Sequence, residues 1–514
     1  MRLNHLLDSL LLRQHPTAGG ATLAAASAAV QLRLLDRQPL HQVDPRYLSF
    51  SIDISVLAGG FWWEGSGNSR RGLGTLRVPP LDLNSKKLDR LVQALAPAYL
   101  RVGGSEADKI HYFASPGHDA SELILTQTMW DSLHSFITRN QCKFAFTYKY
   151  GLFKRRQHGE WAGTEIQQLL EYSSAQGYRL DVCELGNELN AYWAFHGIRS
   201  QPRAKMLARD YATFARLLRR YYPDVKICGP GSAFWPRLGE TIRPFSNITP
   251  KFLQTMGAEL DIVDWHYYPF QSERSPLQTR SATLQTALSI KSFDTFGHYS
   301  EKLRHWRDLY QPQAELWTGE TGSAQCGGQP RISDRFASCF WWADQLGQGA
   351  LLGQKVMVRQ SLIGGDYGMI NRLTLKPRPD YWVSWLWGQL MGEAVYGVSN
   401  SHPDLRVYCH QHKHSSDLVL LIINTSCALV SIDLQSFGRP AMWGGADRGG
   451  ASSASTVQVQ QSYSLYANKL TAKRVFINGV RPRLHKGQLG LQDFPQQAGS
   501  NPLRARSINF WRIR

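Results

Sequence analysis

The sequence predicts an α/β protein: a (β/α)8 barrel followed by a C-terminal antiparallel β-sandwich that also takes up an N-terminal strand. Three observations predict it. Eight short runs rich in β-branched and aromatic residues recur between residues 47 and 362, with helical patterns between them. After about residue 392 the chain changes to short alternating runs separated by turn residues. A doubly wound dinucleotide-binding sheet would want GxGxxG after its first strand, and YLSFSIDIS (47–55) is followed by no such pattern.

The strand-like runs are 47–55, 98–104, 143–150, 180–188, 225–231, 260–268, 314–320 and 355–362. The first helix is predicted over 85–96, where Ser85 can cap and Leu88, Leu91, Val92 and Leu95 recur at three-four spacing. Further helices are predicted over 164–176, 205–222, 299–310 and 332–346 by the same periodicity. Beyond 392, LRVYCHQH, LVLLIIN, LVSIDLQ, TVQVQQSYSL, RVFING and ARSINFWRIR read as sandwich strands, and 444–456 as the most flexible loop. Residues 30–46 also hold a strand-like stretch. The expected division is an N-terminal segment (1–44) partly pairing with the sandwich, a catalytic barrel (45–392) and the sandwich (393–514).

Composition narrows the function. At 43% hydrophobic and 19% charged, the 514 residues suit a folded globular protein of more than one core, not a disordered chain. No run of eighteen apolar residues occurs, so no membrane-spanning helix is expected. Sixteen Trp fit either a large aromatic core or rings that stack on a sugar. The net charge is +18, and residues 401–514 contribute +9 of it, from 14 Lys/Arg against 5 Asp/Glu. Such a chain attracts polyanions, although a solvated basic face has the same composition. No nucleic-acid-binding motif is visible, so no nucleic-acid partner is expected. The seven cysteines form no CxxC pair, and Cys183 and Cys228 read as small core residues. Asp8 and Arg13 interrupt the apolar N-terminal stretch, so no signal peptide is expected and a cytoplasmic location is favoured over a secreted or periplasmic one.

Barrels carry their chemistry at the C-terminal ends of strands. Here those ends hold Asp53, Arg101 to Gly104, Asn187-Glu188, His266-Tyr267-Tyr268 and Glu320. Two glutamates on strands four and seven would face each other across the barrel mouth. Glycoside hydrolysis needs such a pair, one protonated for the leaving oxygen and one ionised for the anomeric carbon. Either Glu alone would more commonly be a surface acid. One His with two Tyr is a poor metal set, so WHYY suggests no metal site.

LDVCELGNELN (180–190), AYLRVGGSEADKIHYF (98–113) and ELWTGETGSAQCGGQPRISDRFA (315–337) together resemble glycoside hydrolase family 79, which contains heparanase and microbial β-glucuronidases. KVMVRQSLIGGDYGMI (355–370) and PDYWVSWLWGQLMG (379–392) extend the resemblance to the barrel's end. The resemblance implies a retaining hydrolase cleaving β-linked glucuronate, with Glu188 as acid/base and Glu320 as nucleophile. It further implies that Asn187 bonds the sugar 2-hydroxyl, that His266 and Tyr268 stand beside the nucleophile, and that Asp53 contacts sugar hydroxyls. Asp53 read from the residues alone is equally a cap or turn residue. Gly327, Gly328 and Tyr367 match the family's uronate pocket and Gln360 a neighbouring subsite. Cys326 stands where the family usually has a further glycine; its amide survives that change, whereas a positive φ is costly for cysteine.

The resemblance also implies no cofactor and no metal. The linker excised from animal heparanase is replaced by the short stretch 114–129, so activity as a single chain is expected. A monomer acting on glucuronate-containing oligo- or polysaccharides, heparan-like chains included, is the expected form. Lys149, Lys154, Arg155 and Arg156, after strand three, could bind the acidic groups of such a chain, and 59–72 could wall the cleft. Two alternatives stand beside this reading: a retaining glycosidase of the same clan acting on a neutral sugar, and a non-catalytic polyanion-binding protein.

Overall fold

The computed structural model describes residues 29–64, 76–114, 123–151, 161, 163–243, 246–437, 457–484, 489–499 and 502–514. Eight parallel strands close into a barrel: β1 (Leu48–Asp53), β2 (Tyr99–Gly103), β3 (Lys143–Tyr148), β4 (Val182–Leu185), β5 (Lys226–Trp235), β6 (Ile262–Tyr267), β7 (Glu315–Thr321) and β8 (Val356–Arg359). Sequential neighbours pair throughout, and Met357 opposite Leu48 closes the ring. Each strand is followed by a helix: α1 (Lys86–Gln93), α2 (Gln127–Arg139), α3 (Thr164–Ala175), α4 (Ala204–Tyr221), α5 (Thr249–Met256), α6 (Ile290–Tyr310), α7 (Ala337–Leu351) and α8 (Pro379–Leu390). This is the (β/α)8 architecture that the strand and helix periodicities predict.

Three helices depart from their predicted bounds: α1 ends at Gln93 rather than 96, α7 runs on to Leu351, and α6 and α7 start elsewhere than predicted. α6 begins nine residues before its periodic stretch, because Phe293 and Phe296 are buried and Gly297 lies against Gln348 of α7. There tertiary packing overrides the poor helix propensity of glycine. α7 begins at Ala337 rather than 332, after turns in which Ile332 and Ser333 both donate their N–H groups to the Gln329 carbonyl.

Side chains enter the barrel in layers two residues apart, as the period of a strand requires. Tyr99, Ala145, Val182, Cys228, Ile262, Trp317, Val356 and Val358 pack together as an apolar floor. Two residues further along their strands stand Arg101, Thr147, Glu184 and Asp264, all buried. The floor keeps this polar layer out of contact with water from below, and the candidate site is built directly on it.

The N-terminal strand Val30–Leu34 pairs antiparallel with Val398–Asn400 and parallel with Ile432–Asp433. It thus completes a small sheet facing a larger one that contains Met391–Tyr396, Leu405–His412, Leu418–Asn424, Val459–Tyr466 and Ser507–Ile513. Alternation decides the packing. Leu405, Val407 and Cys409 join Val30, Leu32 and Leu34 between the sheets, while Tyr408 turns to the barrel and donates its hydroxyl to Asp344 of α7 at 2.7 Å. All seven cysteines are free, with Cys183 and Cys228 buried in barrel strands. No helix among the described residues is long and apolar enough to cross a membrane. The stretches 444–456, 65–72 and 115–122 lie outside the described residues.

Candidate active site

Glu320 reaches the site through a bulge. Plain alternation from Trp317 would turn it out of the barrel, but Trp265 pairs with Thr318 and His266 with Glu320, so Gly319 is an extra residue. A bulge of this kind re-aims the side chain after it. Only glycine fits at that position, since a Cβ there would lie 2.1 Å from Asp264 Oδ1. Glu188 leaves β4 through a turn in which its own backbone is left-handed, with φ 51°. Asp108 fixes that turn: its Oδ2 accepts the Asn187 N–H and its Oδ1 the Tyr150 N–H, each at 3.0 Å.

These two devices bring the carboxyl groups together. One oxygen of Glu188, one of Glu320 and a ring nitrogen of His266 all lie within 4.8 Å of one another. Tyr268 donates its hydroxyl to Glu320 Oε1 at 2.6 Å, and Arg101 Nη1 donates to Glu320 Oε2 at 2.7 Å. The other guanidinium nitrogen, Nη2, donates to Glu184 Oε2 at 2.8 Å and to Asn187 Oδ1 at 2.9 Å. His266 Nδ1 stands 3.4 Å from Glu188 Oε1 and 4.0 Å from Glu320 Oε2. Both glutamates are 5% exposed, low enough for these charges to act with little screening by water.

The environments push the two carboxyls apart. Burial raises the Glu188 pKa; His266 opposes that, and the Glu320 charge adds to it. Burial would raise Glu320 as well, but the charges of His266 and Arg101 and the bond from Tyr268 outweigh it and hold Glu320 below the ordinary range. Burial opposes charge on His266 too, yet the neighbouring carboxyls of Glu320, Asp264 and Glu188 lift its pKa to about 10. The surroundings thus favour the protonated form of Glu188 and the ionised form of Glu320, the direction of division that acid-assisted displacement needs.

The remaining predicted residues line one side of this pair. Asp53 does cap: its Oδ1 accepts the Ser55 N–H at 2.9 Å, while Oδ2 takes the Gln360 amide at 3.3 Å. Gln360 also stands beside the Tyr367 phenol, and the Tyr367 ring lies 6.3 Å from that of Tyr268. Gly327 and Gly328 have φ 78° and 88°, and Cys326 shares the left-handed conformation at 53° despite its Cβ. A Cβ on Gly328 would come within 2.7 Å of the Tyr367 backbone, and one on Gly327 within 2.4 Å of the Trp63 carbonyl. Lys149 pairs with Glu165 at 3.2 Å rather than standing free beside the site. Lys154, Arg155 and Arg156 lie outside the described residues.

Sequence reasoning did not single out Glu184, Asp264, Asp108, Arg274 or Asp366, and gave Arg101 no role. The available signal was the strand period: Glu184 and Asp264 lie two residues beyond Val182 and Ile262 and must share their inward face. Glu184, Asp264 and His266, and separately Glu188, His266 and Glu320, offer ligand atoms close enough for a cation. Arg101 already occupies that role electrostatically, with its guanidinium against acids of both groups.

A closed parallel barrel with two glutamates converging from the ends of its fourth and seventh strands defines a glycoside hydrolase. Residues 73–347 match the N-terminal domain of glycosyl hydrolase family 79, and the chain belongs to that family. It is 29% identical over 458 residues to heparanase of Bos taurus, covering 78% of each sequence. It is 28% identical over 454 residues to baicalin-β-D-glucuronidase of Scutellaria baicalensis, covering 79% of this chain and 80% of that enzyme. Among solved structures, a family 51 arabinofuranosidase of Xanthomonas axonopodis pv. citri superposes with a TM-score of 0.65 at 13% identity, covering 95% of this chain and all of that one. A 4-O-α-L-rhamnosyl-β-D-glucuronidase of Fusarium oxysporum 12S does so with 0.60 at 14%, covering 94% of this chain and all of that one. These two structures share the fold.

Proposed function

We propose that this hydrolase cleaves β-linked glucuronic acid with retention, with Glu188 as acid/base and Glu320 as nucleophile. The observation that carries the reading is the close approach of their carboxylate oxygens, within 4.8 Å. A pair about 5–5.5 Å apart acts by double displacement, whereas about 6.5–9.5 Å would leave room for a water between them.

In the first step Glu188 gives its proton to the glycosidic oxygen as that bond breaks, and Glu320 bonds to the anomeric carbon. Tyr268 and Arg101 each hold one oxygen of Glu320 and so aim its remaining lone pairs. Once Glu320 is esterified its negative charge is gone. That charge helps to keep Glu188 protonated, so its loss lowers the Glu188 pKa when Glu188 must act as a base. Glu188 then takes a proton from water, the resulting hydroxide attacks the anomeric carbon, and Glu320 leaves. In this reading Asn187, held by Arg101 and Asp108, bonds the 2-hydroxyl.

The uronate preference is supported by the turn at Cys326 to Gly328 beside Tyr367. Backbone N–H groups are fixed donors that suit a carboxylate without desolvating a long cation. The partners that follow from this reading are glucuronate-containing oligo- or polysaccharides, heparan-like chains included. Initial rates on 4-nitrophenyl β-glucuronide, β-xyloside and α-arabinofuranoside, and product analysis on a defined heparan oligosaccharide, test it. The glucuronide is expected to be the preferred aryl glycoside. Turnover confined to the xyloside or arabinofuranoside would refute the uronate assignment.

A further inference from the structure

We propose that Arg274 and Asp366 are positioning residues that set selectivity for a carboxylate-bearing sugar by locking the turn 326–328. The inference rests on the reading that this turn takes the uronate. Three successive residues in the left-handed region are costly where one of them is Cys326, whose Cβ crowds the following carbonyl oxygen there. Such a conformation persists only where its surroundings over-determine it.

Here the surroundings do so through every carbonyl of the turn. Arg274 Nη1 donates to the Cys326 carbonyl at 3.2 Å and to the Gly328 carbonyl at 2.8 Å. The Gly327 carbonyl takes the N–H groups of Asp366 at 2.6 Å and Tyr367 at 3.2 Å. Arg274 Nη2 pairs with the Asp366 carboxylate, which closes a ring of contacts between the loops after β6, β7 and β8. The loop after β8 is itself anchored, since Arg378 Nη1 donates to the carbonyls of Gly365, Asp366 and Gly368 at 2.6, 3.1 and 2.8 Å. Arg274 and Asp366 are both buried.

In a trans peptide the C=O and N–H point in opposite directions. Pinning the Cys326 carbonyl on Arg274 therefore aims the Gly327 N–H the other way, while the Gly328 N–H turns back to the Gln325 carbonyl at 3.3 Å and tightens the turn. Asp366 neutralises the guanidinium, so the clamp shapes the donors without placing a free cation in the pocket. Removing Arg274 would release two carbonyls and leave the Asp366 carboxylate buried and unpaired beside the site of an anionic sugar.

The test compares Arg274→Gln, Arg274→Lys and Asp366→Asn with the wild-type chain on 4-nitrophenyl β-glucuronide and on the β-xyloside, which lacks the carboxylate. Arg274→Gln is expected to raise KM for the glucuronide at least tenfold. Its kcat on the glucuronide should stay within threefold, and its kcat/KM on the xyloside within twofold. Inhibition by free glucuronic acid should weaken in parallel, and Arg274→Lys should recover part of the loss. Asp366→Asn, which leaves the guanidinium on the carbonyls, should cost less than Arg274→Gln. Equal losses on both substrates, an unchanged glucuronide KM, or a larger loss from Asp366→Asn would overturn the proposal. If Arg274→Gln fails to fold, the Asp366→Asn comparison still decides: a shift in the ratio of the two kcat/KM values supports the clamp and an unchanged ratio refutes it. Failure of the uronate reading itself would show in the wild-type chain, as no preference for the glucuronide over the xyloside.

Discussion

Replacing Tyr268 by Phe removes one hydroxyl, which donates to Glu320 Oε1 at 2.6 Å in a largely buried site. Hydrogen bonds to charged groups are worth about 1.5–3 kcal/mol. At about 1.4 kcal/mol per pKa unit, losing this one raises the Glu320 pKa by ~1–2 units. The sign is fixed by the role: Glu320 must be ionised to attack, so the acidic limb of the rate profile moves to higher pH by that amount. Wild-type Glu320 starts below the ordinary carboxylate range and keeps Arg101 and His266 beside it. Those two charges still favour its ionised form in the variant, so any loss away from the acidic limb reflects poorer aim of the carboxylate. The alkaline limb, governed by the raised pKa of Glu188, should hold its place. The assay is kcat/KM on 4-nitrophenyl β-glucuronide across the acid-to-alkaline range. An acidic limb that does not move would refute the claim that Tyr268 holds the ionised nucleophile.

Glu188→Gln should lose about 10²–10⁴-fold in kcat/KM on glucuronides with unactivated alcohols and far less on dinitrophenyl glucuronide, since kcat/KM reports the first step, where acid assistance matters most for poor leaving groups; kcat/KM over a leaving-group series decides this, and equal losses would contradict the assignment. Cys326→Gly should raise stability by up to ~1 kcal/mol, the left-handed cost relieved less the entropy that glycine adds to the unfolded chain; a urea midpoint lower than the wild type's would contradict it. Asp380→Ala should destabilise the fold by about 3–5 kcal/mol, because it strands the fully buried Arg359, which pairs with Asp380 at 2.6 Å. The urea midpoint should fall with little change in slope, and an unchanged midpoint would show that the pair contributes nothing.

The barrel was legible because its signals are local and periodic. A run such as KFAFTYKY reads as a strand without knowing its neighbours, and the order of strands follows from the β-then-α alternation. The two glutamates were legible because strand ends are where a barrel exposes chemistry. The pairing of Val30–Leu34 with the sandwich was also readable, from alternation ahead of the barrel.

What escaped was set by long-range register. The bulge at Gly319 aims Glu320 inward, yet nothing in TGET announces it. Arg274 and Asp366 are 92 positions apart, and only the folded loops show that the second neutralises the first. Asp53 shows the limit from the other side: the capping and sugar-contact readings compete in sequence, and in the structure one oxygen caps while the other turns to Gln360. The start of α6 was hidden because Gly297 weakens the pattern that contact with Gln348 restores.

Stereochemistry tests the account most directly, because it reports whether residues 188 and 320 act in turn on one carbon. Proton NMR of a β-glucuronide hydrolysed fast enough to outrun mutarotation should show β-glucuronic acid as the first-formed product. First appearance of the α-anomer would mean a single displacement by water, and double displacement through Glu320 would be wrong.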